Sequence, residues 1–152
     1  MTLSNAVPDL EIWYQHRVSY GETDTMGVLY YAEYFHIFER SRNEVIRAVG
    51  LPYSEVEKRG FYLPVAEAQC RYRAPARYDD LLQLRTVLGD WRAASVVFRY
   101  ELYNESRDRL LAEGMTRHAF VNAGGRPVPI PGWFRELFIK SSKGAQAQSR
   151  GG

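Results

Sequence analysis

The chain has 152 residues, a hydrophobic content of 45% and a net charge of +2, the profile of one folded domain rather than a disordered or highly charged chain. Basic and acidic residues are interspersed, with no polybasic block for nucleic acid or anionic lipid, and no apolar run is long enough to span a membrane. The single cysteine, Cys70, has no intramolecular partner, and the N-terminus lacks a basic, apolar leader; both fit a cytoplasmic protein.

Residues 1–10 read as a loose leader. EIWYQHRVSY, residues 11–20, is rich in aromatic and β-branched residues and predicts a strand. GETDTMG, residues 21–27, is dense in turn formers. The period then changes. Tyr31, Tyr34, Phe35, Phe38, Val45, Ala48 and Val49 recur at helical spacing, with Glu33, Arg40, Asn43, Glu44 and Arg47 opposite. That predicts an amphipathic helix of roughly 18–20 residues, closed by Gly50 with Pro52 beyond. A short helix is expected over Tyr53–Arg59, ended by Gly60.

From Phe61 the pattern is that of strands. One is expected over 61–73, the weakest in pattern, followed by a connection at 74–80. Leu82, Leu84, Thr86 and Leu88 alternate with polar neighbours, as do Val96, Phe98, Tyr100 and Leu102. Asn104–Asp108 reads as a hairpin turn and Leu110–Asn122 as the next strand. A last helix is expected over Gly132–Ile139, and residues 141–152 lack apolar anchors and are expected to be disordered. The order predicts an α+β fold: one long helix across a roughly five-stranded antiparallel sheet. Such a sheet leaves open edges, for which self-association is a natural cover.

The segment most suggestive of chemistry is YGETDTMGVLYYAEYF, residues 20–35. Asp24 stands in a turn just before the long helix. A helix start offers unpaired N–H groups and a partial positive charge, which would polarise a carbonyl oxygen and stabilise an oxyanion. A carboxylate alongside could attack the carbonyl carbon or activate water, and Gly27 would let a substrate approach the backbone. Asp and Thr are equally ordinary cap and turn residues, so on residue chemistry alone a structural role competes.

This segment resembles the signature of the hotdog-fold acyl-CoA thioesterases of the 4-hydroxybenzoyl-CoA type. The match comprises the Tyr20-x-x-x-Asp24 spacing, T-D-x-x-G-V at Thr23–Val28 and Tyr31-x-x-Tyr34 at the helix start. Two further stretches match in order, RYRAPARYDDLL at 71–82 and AEGMTRHAFV at 112–121. The resemblance implies one hotdog thioesterase domain over residues 1–140, acting on acyl-CoA without a cofactor, as a homodimer or homotetramer with the site between subunits. It makes Asp24 the catalytic carboxylate and the Tyr31 backbone N–H the group that polarises the thioester carbonyl. Tyr20, Gly27, Val28 and Tyr34 become substrate-binding candidates. Many relatives carry His at the position of Tyr31; the backbone donor survives that difference, and an imidazole role does not.

Arg71, Arg73 and Arg77 gather near one strand end and suit the phosphates of coenzyme A or an ordinary solvated edge. His16, His36 and His118 are scattered without metal-ligand spacing, so no metal site is expected. Cys70 reads as an inert thiol and Glu67 as a solvated strand residue. Two other readings remain. A hotdog hydratase or dehydratase needs a His near the helix start, where none precedes His36. A non-catalytic acyl-CoA-binding module would lack the carboxylate at Asp24.

Overall fold

The computed structural model describes residues 10–50 and 53–150. The expected leader therefore lies almost wholly outside the described residues, as does Pro52. Among the described residues, seven strands and three α-helices follow in chain order: β1 (Leu10–Arg17), α1 (Glu33–Ala48), α2 (Tyr53–Lys58), β2 (Phe61–Tyr62), β3 (Val65–Tyr72), β4 (Leu81–Gly89), β5 (Ser95–Tyr103), β6 (Leu110–Ala119), β7 (Val121–Asn122) and α3 (Gly132–Arg150). As expected, five strands form one antiparallel sheet; their order is β1-β4-β5-β6-β3.

Alternation sets the faces. Leu82, Leu84, Thr86 and Leu88 of β4 and Val96, Phe98, Tyr100 and Leu102 of β5 are all buried on the side that carries α1. Their neighbours Arg85 and Glu101 pair on the other face, where Arg85 also reaches Glu11 of β1. From α1, Tyr34, Ile37, Phe38, Ser41, Val45 and Ile46 are buried at helical spacing. Phe38 stacks on Tyr100 with ring centroids 4.2 Å apart and planes within 3°. The ring reaches that depth because residue 114 is glycine: a Cβ there would lie 2.8 Å from Phe38 Cε2 and 2.6 Å from the Gln69 carbonyl oxygen.

One buried polar chain crosses this core. Arg42 donates to the Tyr100 hydroxyl at 3.1 Å, and Thr116 Oγ1 lies 2.6 Å from that hydroxyl and 2.9 Å from His118 Nε2. His118 Nδ1 donates to the Leu63 carbonyl at 3.0 Å, which fixes the neutral tautomer with Nε2 accepting from Thr116. Burial holds the His118 pKa down at about 4, and the Arg42 charge adds to the effect.

Several boundaries differ from those predicted. The strand expected over 61–73 breaks at Leu63-Pro64, and the one expected over 110–122 breaks at Phe120. The pieces β2 and β7 pair with each other in a separate two-stranded ribbon. Pro64 has no N–H for the ladder, and Phe120 turns its N–H to the Ala94 carbonyl instead. The first strand stops at Arg17 because the Val18 N–H donates to the Asp80 carbonyl and the Val18 carbonyl accepts the Asp79 N–H. Helix α1 has 16 residues and begins at Glu33, not at Tyr31. Helix α3 continues through Arg150, so most of the 141–152 tail expected to be disordered is helical. A helix already nucleated at Gly132 extends at one hydrogen bond per residue, and Ala, Gln and Lys carry it well. Its start is anchored by Phe134 and Phe138, which are buried against Trp91.

Candidate active site

The segment from Glu22 to Tyr30 folds back on itself as a miniature hairpin. The Tyr30 N–H donates to the Glu22 carbonyl at 2.9 Å, Thr23 bridges to Leu29, and the Asp24 N–H donates to the Val28 carbonyl at 2.9 Å. At the tip the Gly27 N–H returns to the Asp24 carbonyl at 3.0 Å, with Gly27 at φ +78°, where a side chain would be strained. Asp24 builds this tip with one oxygen only. Its Oδ1 accepts the Met26 N–H at 2.8 Å and the Val28 N–H at 3.3 Å, an Asx turn. Among the described residues, Oδ2 has no partner. Asp24 is thus a turn former with a carboxylate oxygen to spare, and it is not the cap of α1.

That helix has no side-chain cap. Its N-cap position is Ala32, which makes no capping hydrogen bond. The Tyr30 carbonyl accepts the Glu33 N–H at 2.9 Å. The Tyr30–Tyr31 peptide is trans, so the Tyr31 N–H points the opposite way, out of the helix start. No described residue accepts from it. The next carbonyl, that of Tyr31, accepts the Tyr72 hydroxyl of β3 at 2.8 Å. Tyr72 meets Tyr34 edge-to-face, with centroids 4.8 Å apart. Burial, with Cys70 beside it, pushes the Tyr72 phenol well up, so it stays a donor.

A cleft of about 340 Å³ opens at this point, lined by Asp24, Val28, Leu29, Tyr31, Tyr34, Tyr72, Arg73, Ala74 and Pro75. The fold thus brings five of the sequence candidates into one cavity: Asp24, Val28, Tyr31, Tyr34 and Arg73. The volume falls in the range of small-molecule sites, about 300–1,000 Å³. The other candidates lie outside its lining. Tyr20 is exposed and meets Tyr78 edge-to-face. Gly27 forms the hairpin tip, and the backbone of Arg77 is bridged to that of Val28. Arg71 lines a different groove on the sheet, with Arg85, Arg99, Glu101 and Glu113. Glu113 also pairs with Arg73. Glu67 pairs with Arg117 at 3.4 Å, Cys70 is half-buried with its thiol pushed up by burial, and His36 is exposed on α1.

Sequence reasoning missed two features. Tyr72 sits between the flagged Arg71 and Arg73, and only the fold shows it reaching Tyr31. Glu22 and His16 form a buried pair, His16 Nε2 lying 2.9 Å and 3.0 Å from the two carboxylate oxygens. A signal for Glu22 was present in Ser19-x-x-Glu22, the spacing by which a Glu side chain bonds back to a Ser N–H; here it does so at 2.7 Å.

Residues 18–138 match the family model described as the thioesterase-like superfamily. The chain belongs to that superfamily. Acyl-CoA thioesterase YbgC of Haemophilus influenzae is 31% identical over 117 residues, covering 76% of this chain and 85% of that protein. The 1,4-dihydroxy-2-naphthoyl-CoA hydrolase of Thermosynechococcus vestitus is 28% identical over 130 residues, covering 80% and 87%. Among solved structures, 4-hydroxybenzoyl-CoA thioesterase of Pseudomonas sp. strain CBS-3 superposes with a TM-score of 0.75 at 25% identity, covering 84% of this chain and 98% of that one. The hotdog fold, the superfamily and the hydrolase class are those the sequence resemblance implied. Among the described residues no helix is long and apolar enough to cross a membrane.

Proposed function

We propose that this protein hydrolyses an acyl- or aroyl-CoA thioester to the free acid and coenzyme A, with Asp24 and the Tyr31 N–H as the reacting pair. The observation that carries this reading is the coincidence in one cleft of a carboxylate oxygen without a partner and an uncapped helix start. The thioester oxygen would accept from the Tyr31 N–H, where the helix dipole favours negative charge. Asp24 then has two routes. It attacks the carbonyl carbon, giving a mixed anhydride and CoA thiolate, and water cleaves the anhydride; or it takes a proton from water as that water attacks. Tyr31, Tyr34 and Tyr72 give the cleft aromatic walls, which favour a flat aroyl group. Arg73, and Arg71 and Arg77 near the same end of the sheet, are the groups we assign to the CoA phosphates; Tyr20, Gly27 and Val28 would flank the bound thioester.

The assembly we infer is a homodimer through β3, with a homotetramer as its doubled form. Strand β3 is an edge of the sheet and almost wholly exposed along its length. An uncovered edge of that length is a template for a second strand. Tyr72 and Arg73 close the cleft from the end of β3, so a partner strand there would complete the site. A cytoplasmic setting fits the unpaired Cys70.

Incubation with acetyl-, benzoyl- and palmitoyl-CoA and a thiol reagent tests the activity, and light scattering across a dilution series tests the assembly. Release of CoA, fastest from benzoyl-CoA, is expected. Binding without release from any of the three would make the protein an acyl-CoA-binding module instead.

A further inference from the structure

The proposed reaction uses Asp24 and the Tyr31 peptide but not the buried His16–Glu22 pair. Glu22 and His16 are each only 8% exposed. Among the described residues, every hydrogen-bond and ion-pair partner of the Glu22 carboxylate is a donor. Its Oε1 accepts the Ser19 N–H at 2.7 Å, the Ser19 hydroxyl at 2.9 Å and His16 Nε2 at 2.9 Å; Oε2 lies 3.0 Å from His16 Nε2 and 3.7 Å from an Arg40 nitrogen. His16 Nδ1 lies 3.4 Å from the same Arg40 nitrogen, so Nε2 donates to Glu22 while Nδ1 accepts. Through its main chain the same residue holds the Tyr30 N–H.

Glu22 therefore joins three parts of the fold: β1 through His16, α1 through Arg40, and the peptide that precedes the Tyr31 N–H. Asp24 lies two residues further along the same strand of the small hairpin. We propose that the His16–Glu22 pair is the positioning device of this site, fixing the 20–31 segment so that the Asp24 carboxylate and the Tyr31 N–H keep one separation. A reacting carbonyl must meet both groups at once, and displacement by about an ångström costs on the order of a hundredfold in rate. A segment dense in turn residues does not hold that tolerance by itself. A buried carboxylate surrounded by donors does, because each donor left unpaired on displacement is costly.

The charge of Glu22 is required, not just its shape. An amide in its place would set an NH₂ group towards Arg40. If His16 changed tautomer to accept from that amide, its Nδ1–H would then face Arg40. In either arrangement two donors oppose each other.

Glu22→Gln is therefore expected to lower kcat on the best CoA thioester by tenfold or more, with KM within threefold of wild type. Hydrogen exchange in residues 20–31 should quicken while that of β4 and β5 stays unchanged. His16→Leu should behave the same way, and His16→Gln, which restores an N–H donor to Glu22, should bring kcat back to within threefold of wild type. A loss that is only structural would follow the folded fraction and vanish under conditions where the variant is fully folded. A folded Glu22→Gln protein with kcat within threefold of wild type overturns the proposal. If that variant does not fold, equal kcat and equal exchange in the two His16 variants overturn it. The kcat readout rests on the thioesterase reading, and the exchange readout does not. Should the wild-type protein release no CoA, that reading fails, and exchange in 20–31 alone decides the positioning role.

Discussion

In the proposed reaction Asp24 does two jobs with two oxygens, and a pair of substitutions separates them. Asp24→Asn keeps the Oδ1 acceptor that holds the Met26 and Val28 N–H groups. It replaces the partnerless oxygen by an NH₂ group, which neither attacks a carbonyl nor takes a proton. The turn should survive, with a melting temperature within about a degree of wild type. Loss of a general base or nucleophile lowers kcat by about 10²–10⁴, which corresponds to roughly 3–5.5 kcal/mol of transition-state stabilisation. Asp24→Ala removes the same chemistry and both turn bonds. One of those is short and the other long at 3.3 Å, and the site is partly exposed, so the stability loss should be about 1–1.5 kcal/mol. For a domain of this size that lowers the melting temperature by about 2–6 °C. Steady-state hydrolysis followed with a thiol reagent and thermal melting of both variants make the comparison. Equal loss of activity with unequal loss of stability is expected. An Asp24→Asn protein retaining kcat within tenfold of wild type would refute the assignment of the free oxygen to the chemistry.

Two further expectations concern the core. His118 is held neutral, its pKa lowered from 6.5 to about 4. Because the folded value lies below the unfolded one, its contribution is complete above pH 6.5 and is lost as pH falls towards 4. A difference of about 2.5 units amounts to roughly 3 kcal/mol; urea denaturation at pH 7 and pH 4.5 should show a steep loss in wild type and a flatter one in His118→Gln, and equal slopes would contradict it. Gly114→Ala would drive a methyl group into the Gln69 carbonyl and the Phe38 ring, costing about 1–3 kcal/mol; a melting temperature equal to wild type would show that Phe38 and β3 give way freely.

The sheet was legible where a strand buries one face and wets the other. In β4 and β5 the alternation of Leu82, Leu84, Thr86 and Leu88, or of Val96, Phe98, Tyr100 and Leu102, is the record of that asymmetry. It failed where pairing is decided by a distant partner. Nothing local in Phe61–Tyr72 says that Phe61 and Tyr62 leave the main sheet for Val121 and Asn122. The reach of α3 was missed for a different reason: weak apolar content was read as absence of structure, whereas helix propagation needs only permissive residues once an anchored start exists.

The site divides along the same line. The turn around Asp24 was readable because Asp and Gly have local conformational chemistry at fixed offsets. Tyr72, Glu22 and His16 take their roles from register and burial, which no short window records. Tyr31 is a third case. Its proposed contribution is a peptide N–H, which every residue but proline possesses, so no residue type could announce it. What the sequence does carry is an N-cap position, Ala32, with no side chain to bond the amides of the first helical turn. A helix start preceded by Ala32 instead of Ser, Thr, Asp or Asn forgoes about 1 kcal/mol of capping. A local rule broken that way, next to a carboxylate with a spare oxygen, marks a site more specifically than the aromatic side chain that happens to stand there. The ring of Tyr31 lines the wall of the cleft, so under the proposed reaction substrate range can change at this position while the proposed oxyanion donor stays in place.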